Sequence, residues 1–339
     1  MQYYKDQFAD KVVYCNCDDP FKSNFFKYFV LHFNELHLKK LICTCYDGNY
    51  INTKVKQLFD YRLLVPDINR RNAWKIEVTK VNNSITADMT NDELMRHTDG
   101  NPELLKNNRD FRSNECIEIL KRSDIVVTNP PFSLFREFIL QIIKYGKQFH
   151  IIGSVNAVSY NEVFAHIMQG DIKVGHHDGS MSFYVVDHYA TLSNIWWYSN
   201  LHCLYNHPDI APHKSYNDKE YQKYDNYDAI EVSHINDIPC DYFGVMGVPV
   251  RIISRNYRDL FDIVGLANGG YDYECKPVKQ YQFAIQHNKD NTISNGSKIN
   301  TGANLLVSDK PSDTTYYTVQ DINGYLIQCY ARVFIRRKQ

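Results

Sequence analysis

Residues 124–132 read DIVVTNPPF. Ile125, Val126 and Val127 make a continuous β-branched run, the pattern of a strand buried on both faces. Asn129, Pro130, Pro131 and Phe132 follow at its carboxyl end, the edge where open α/β sheets bind ligands. These residue types suit one task. An amide side chain and a rigid backbone carbonyl can each accept a hydrogen from an exocyclic NH2 group. The prolines fix the backbone so that Asn129 and the Pro130 carbonyl point the same way. Phe132 offers a flat face to the ring that carries the amine. Accepting both hydrogens turns the nitrogen lone pair out of ring conjugation and toward an electrophile, without a strong general base. The competing reading is a Pro-Pro strand stop with Phe132 in a core. The strand before the tetrapeptide and the helical pattern after it (residues 134–145, LFREFILQIIKY) favour the chemical one.

Outward from this stretch the same rhythm repeats. Residues 11–17 (KVVYCNC), 40–46 (KLICTCY) and 149–155 (FHIIGSV) are strand-like, and 74–81 (WKIEVTKV) alternates as a half-exposed strand does. Helical spacing marks residues 23–33, with Ser23 as N-cap, and 114–122, and Gly146 sits where the third helix should stop. Strands separated by helices predict a doubly wound α/β sheet, with Val185, Val186 and residues 195–198 (IWWY) as later strands. After about residue 205 the chain turns polar, Tyr-rich and turn-rich, and residues 325–338 read as one final strand with a basic end. Two regions are expected, 1–205 and 206–339.

With 339 residues the chain is long enough for two domains. Hydrophobic residues at 44% and charged residues at 23%, with only 15 Gly and 11 Pro, exclude disordered and collagen-like classes. No run approaches the roughly 18 apolar residues of a membrane span, so a soluble, cytoplasmic protein is expected. The net charge of −1 gives the whole molecule no basic field, so a nucleic-acid binder must gather its Lys and Arg on one face. The nine cysteines include no C-x-x-C pair, and Cys15, Cys17, Cys43 and Cys45 alternate as strand positions, which favours buried reduced thiols. His176, His177 and Asp178 lack a further ligand at recognisable spacing, so no metal is expected. Trp196 and Trp197 read as strand core.

The tetrapeptide is the motif of amino-group methyltransferases that use S-adenosylmethionine. Residues 3–20 (YYKDQFADKVVYCNCDDP), 23–29 (SNFFKYF), 110–113 (DFRS), 124–138 (DIVVTNPPFSLFREF), 224–230 (YDNYDAI) and 244–250 (GVMGVPV) together resemble the EcoRI-type DNA adenine methyltransferase family. The likeness weakens over the last 90 or so residues until 331–338 (ARVFIRRK). It implies a Rossmann-like S-adenosylmethionine-dependent methyltransferase sheet followed by a C-terminal target-recognition region. It also implies methylation of adenine N6 in double-stranded DNA by base flipping, in a restriction-modification or phage protection system; a monomer is expected, because a chain acting on one strand at a time needs no symmetric dimer.

Carried over, Asn129 and the Pro130 carbonyl bind N6, Pro131 keeps the loop rigid and Phe132 stacks on the base. The usual glycines after the first strand are absent. Asp18, Asp19 and Pro20 stand there instead, as cofactor contacts or as a turn and cap ahead of the Ser23 helix. Asp47 reads either as a ribose ligand or as part of an Asp-Gly-Asn turn. Asp110 reads as an acceptor for the cofactor's adenine amine or as a residue of a helix start. The resemblance also implies an FYT-type segment upstream of the first strand, so this form is expected to bind cofactor more weakly than an extended one. Candidate DNA contacts are Arg251, Arg255, Arg258, Lys276, Lys279, Lys298, Arg336, Arg337 and Lys338, with steeply salt-dependent binding. RNA or protein amino-group methylation, and a DNA-binding remnant with an incomplete cofactor pocket, are the alternatives.

Overall fold

Four buried apolar strands form the centre of the fold. In the computed structural model, which describes residues 2–45, 73–105, 110–174, 181–185, 188–192, 194–202, 209–268 and 273–339, these are β1 (Val12–Cys15), β2 (Lys40–Cys45), β5 (Ile125–Thr128) and β6 (Gln148–Ser154). They run parallel in the order β2-β1-β5-β6. Every residue of β1 and β5 is buried, as expected of strands covered on both faces. Two antiparallel strands, β3 (Trp74–Val78) and β4 (Asn101–Leu104), extend the sheet beyond β2. Beyond β6 it ends with β10 (Ile195–Ser199) and β7 (Lys173–Val174), also antiparallel. The predicted doubly wound α/β fold is therefore present as an eight-stranded mixed sheet with a parallel centre.

The helices form where spacing and caps dictate. In α1 (Asn24–Leu31) the Ser23 side chain accepts from the Phe25 and Phe26 N–H groups, while Phe26, Phe29 and Val30 are buried. The short α2 (Asn91–Arg96) starts on a capping box of Thr90 and Glu93. Next, α3 (Asn114–Arg122) is capped by Ser113 and buries Cys116, Ile119 and Leu120. After the tetrapeptide, α4 (Phe135–Lys144) buries Phe135, Phe138, Ile139 and Ile142. It stops at Gly146, whose φ is +63°. The Gly146 N–H bonds to the Ile143 carbonyl at 2.8 Å and the Lys147 N–H to the Ile142 carbonyl at 3.2 Å, the pairing of a Schellman end. Gly146→Ala must hold a Cβ in the left-handed region. It is expected to cost about 1–2 kcal/mol, read as a lowered urea midpoint with unchanged slope.

The chain divides into two compact units, Met1–Ala157 with Gln169–Tyr205, and Val158–Met168 with Asn206–Gln339. Most of α5 (Asn161–Gln169) thus clusters with the C-terminal residues. Two sequence expectations need correction. Val185 ends β8 (Met181–Val185), which pairs with β9 (His188–Leu192) in a separate two-stranded sheet and does not complete the large one. Val186 lies outside the described residues. Residues 325–338 are also two strands, β18 (Tyr325–Cys329) and β19 (Arg332–Arg337), in different sheets. The chain turns between them at Tyr330, which is 72% exposed.

The C-terminal unit holds a four-stranded sheet of β11 (Ile230–Glu231), β12 (Val245–Pro249), β19 and β13 (Phe261–Leu266). Its five-stranded sheet contains β15 (Ile293–Asn295), β14 (Ile285–His287), β17 (Tyr316–Thr318), β18 and β16 (Ala303–Val307). The YDNYDAI stretch joins the two. Tyr224 donates to Glu231, Asp225 accepts from Tyr281 at 2.7 Å, and Asn226 bonds the Gly302 carbonyl and the Asn304 N–H. Tyr227 packs on Phe334 at 4.6 Å between ring centres. The described cysteines are free thiols, with Cys15, Cys43 and Cys45 buried. Among the described residues no helix is long and apolar enough to cross a membrane.

Candidate active site

Because β1 and β5 are parallel neighbours, with Val13 beside Ile125 and Tyr14 beside Val126, their carboxyl ends open side by side. After β1 come Asn16 and Cys17, and after β5 comes the tetrapeptide. A cavity of about 480 Å³ lies there, lined by Asn16, Cys17, Asp110, Phe111, Asn129, Pro130, Pro131 and Leu134. Pro130 is buried, while Asn129, Pro131 and Phe132 are exposed. The Asn129 side chain makes no hydrogen bond among the described residues, so its amide is open to a ligand. Phe132 is 37% exposed and begins the single turn that leads into α4.

The loop rests on a packed base. The Phe135 ring lies against Tyr198 at 4.9 Å and over Gly153, where a Cβ would come within 2.4 Å of it. Only glycine leaves room for that ring, so Gly153 sets how closely the start of α4 approaches the sheet.

Residues 110–113 form the entry to α3, and Asp110 and Phe111 line the same cavity. Asp110 accepts from the Arg112 backbone N–H at 2.8 Å, and from the guanidinium at 2.8 Å on Oδ1 and 2.6 Å on Oδ2. The Arg112 guanidinium holds the Asp110 carboxyl below the usual carboxylate range, so it stays ionised at neutral pH. Arg112 also reaches Glu137 of α4 at 2.5 Å. Phe111 packs edge-on against Phe138 at 5.1 Å, and its carbonyl accepts from Gln141 at 3.0 Å. Thus α4 follows the tetrapeptide and holds the Asp110–Arg112 segment through its exposed and buried sides.

The structure brings Asn129, Pro130, Pro131 and Asp110 into the lining of one cavity, while Phe132 is not among its lining residues. It does not bring Asp18, Asp19 or Pro20 there. Asp18 is turned inward toward Ser23 and Thr128. The Asp19 side chain accepts from the Phe21 N–H at 2.9 Å, within a turn, and the Pro20 carbonyl accepts from Asn91 at 2.8 Å. Asp47, His176, His177 and Asp178 lie outside the described residues. Among the described residues no cluster of three His, Cys, Asp or Glu is arranged to hold a metal. Asn16, Cys17, Phe111 and Leu134 line the cavity although the sequence reading did not select them. Their adjacency to selected residues was the available signal.

Most candidate DNA-contact cations already have partners. Lys279 pairs with Asp225 at 2.8 Å, and Arg336 pairs with Glu274. The Arg337 guanidinium lies 5.4 Å from the Phe261 ring centre, and Lys338 bonds the Arg258 carbonyl at 2.6 Å. Arg258 itself donates to the Ile167 carbonyl at 3.1 Å, and Arg251, Arg255 and Lys276 are also engaged. Lys298 is exposed.

Comparison with known proteins places these observations in a family. The model of the adenine-specific methyltransferase EcoRI family matches residues 1–338. The type II methyltransferase M.EcoRI of Escherichia coli is 40% identical over 293 residues, 79% of this chain and 82% of that protein. Type II methyltransferase M.MgeORF184P of Mycoplasma genitalium is 35% identical and M.MpnI of Mycoplasma pneumoniae 31%, each over 78% of both chains. No solved structure matches significantly. The chain belongs to the adenine-specific EcoRI methyltransferase family.

Proposed function

We propose that this adenine-specific methyltransferase takes its methyl group from S-adenosylmethionine and delivers it to adenine N6 at a short site in double-stranded DNA. In that reading it modifies the sites of a restriction-modification system. The observation that carries the reading is the convergence of Asn129 and Pro130 with Asp110 and Phe111 on one cavity.

The residues present fit the cofactor. The cavity, about 480 Å³, is in the size range of small-molecule sites and combines an aromatic wall with few polar groups. Asp110 stays ionised, and its Oδ2 accepts one bond from Arg112, which leaves a lone pair for an adenine amine. Phe111 supplies a flat aromatic surface beside Asp110 in the sequence, and Asn16 and Cys17 also line the cavity. When bound, the cofactor supplies an electrophilic methyl on a sulfonium.

The chain's own residues then do three things. Asn129 Oδ1 and the Pro130 carbonyl accept the two N6 hydrogens, which holds the lone pair out of conjugation. Phe132 stacks on the adenine and fixes the plane of attack. The loop admits only an extruded base, because N6 is paired and the ring stacked inside a duplex. Catalysis is then mostly alignment and electrostatic complementarity.

Incubation with tritium-labelled S-adenosylmethionine and mixed DNA, RNA and protein acceptors tests this directly. Label is expected in DNA as N6-methyladenine, and label confined to RNA or protein would contradict the proposal. Asp110→Asn is expected to weaken cofactor binding about tenfold by calorimetry, the scale of one charge-assisted hydrogen bond.

A further inference from the structure

We propose that Asp18 is a positioning residue, a buried carboxylate that ties the amine-binding loop to the ends of β1 and α1. This rests on reading residues 129–132 as that loop. Asp18 is 7% exposed. Its Oδ2 accepts from Thr128 Oγ1 at 2.6 Å and its Oδ1 from Ser23 Oγ at 2.9 Å. The nearby Asn129 backbone N–H also favours its charged form. Thr128 Oγ1 in turn accepts from the Cys17 N–H at 3.2 Å, and Ser23 Oγ caps α1.

One side chain thus joins the last residue of β5, directly ahead of the loop, to the cap of α1. The Asn129 side chain has no partner of its own among the described residues. Its aim therefore follows from the backbone that leaves β5, which the Thr128 bond to Asp18 holds. A buried carboxylate is costly to desolvate, and it persists here because two hydroxyl donors converge on it.

The same geometry gives the loop a pH dependence. Burial pushes the Asp18 carboxyl up to about 6, against the donors that hold it down. The ionisable groups facing it are the Cys15 and Cys17 thiols, whose own ionisation is opposed by burial, and the neighbouring Asp19. From α1 it meets the Ser23 hydroxyl, and from β5 the Thr128 hydroxyl and the Asn129 N–H. Below pH about 6 a proton occupies one carboxyl oxygen, and one of the two hydroxyl donors loses its acceptor. Methyl transfer should fall as pH drops through that value.

The test compares wild type, Asp18→Asn, Thr128→Val and Thr128→Ser. It reads kcat from pH 5 to 8 on duplex DNA, cofactor Kd by calorimetry, and hydrogen exchange of the loop peptide without cofactor. Wild type should show an acid limb near pH 6. Asp18→Asn should lower kcat about 10- to 100-fold, the scale of a lost hydrogen bond to a charged group. It should also remove the acid limb, leave cofactor Kd nearly unchanged and speed exchange at the loop. Thr128→Val should slow the enzyme and loosen the loop, and Thr128→Ser should restore both.

Wild-type kcat with a retained acid limb in Asp18→Asn would overturn the proposal. So would a large rise in cofactor Kd at constant kcat, which would put the carboxylate on the cofactor. If Asp18→Asn does not fold, wild-type kcat and loop protection in Thr128→Val overturn it equally. Absence of DNA methylation by wild type would sink the proposed function, whereas the exchange measurement would still decide the role of Asp18.

Discussion

Asn129→Ala is expected to lower methyl transfer about 10²- to 10³-fold, the usual loss when one preorganised polar group is removed from a reacting centre. The argument depends on what Asn129 does not do. Its side chain is exposed and makes no hydrogen bond among the described residues, so truncation should change stability by no more than about 0.5 kcal/mol. Cofactor affinity should also hold, because Asp110 and Phe111 stand on another loop. Asn129→Asp keeps an acceptor oxygen and should retain more activity than alanine. Initial rates of labelled methyl incorporation and calorimetric cofactor titration check the rate and affinity statements, and the urea midpoint checks the stability one. A large fall in cofactor affinity with unchanged kcat would move Asn129 from the adenine to the cofactor.

The largest expected effect on stability lies in the C-terminal unit. Glu231 is 8% exposed and accepts from Arg332 Nε at 3.0 Å and Nη2 at 2.6 Å. It also accepts from Ser233 at 3.0 Å and from Tyr224. Burial pushes the Glu231 carboxyl up, but the Arg332 guanidinium outweighs this and holds it below the usual glutamate value. Arg332→Met leaves a buried carboxylate without its counter-charge and is expected to cost about 3–5 kcal/mol. That corresponds to a melting temperature lower by roughly 10 °C.

Replacing both partners with apolar residues should recover much of the loss, since the penalty is the orphaned charge. The pH dependence has a definite sign. A depressed folded-state value means that the pair's stabilisation is present above the ordinary glutamate pKa of about 4.3 and lost as pH falls through the folded value. The gap between wild type and variant should therefore close in acid. A gap that persists below pH 3 would mean that Arg332 acts through packing of its stem.

The parts legible in the sequence were those governed by local rules. The runs at Val12–Cys15 and Ile125–Thr128 are apolar throughout because both faces are covered, and each reads as a strand without reference to the other. Ser23, Ser113 and Gly146 mark helix ends through bonds to their own neighbours. The tetrapeptide was legible for the same reason, since its chemistry is contained in four consecutive residues.

What failed was non-local. Nothing local breaks residues 325–338 into two strands. The break follows from the turn at Tyr330 and from the pull of Glu231 on Arg332, about 100 residues apart in sequence. Asp18 stood beside the right strand, but its inward aim depends on Thr128, which only the β1–β5 pairing brings near. The candidate cations could be named but not sorted, because their partners Asp225 and Glu274 are set by the folded sheets.

The central claim is that this fold methylates adenine N6 in DNA through Asn129. Its most direct test is single-molecule sequencing of genomic DNA from a methylation-free host expressing the chain, beside the Asn129→Ala variant. The account predicts modified adenine at one short motif with wild type and none with the variant. Genomic DNA without modified adenine, from cells containing folded wild-type protein, would contradict it.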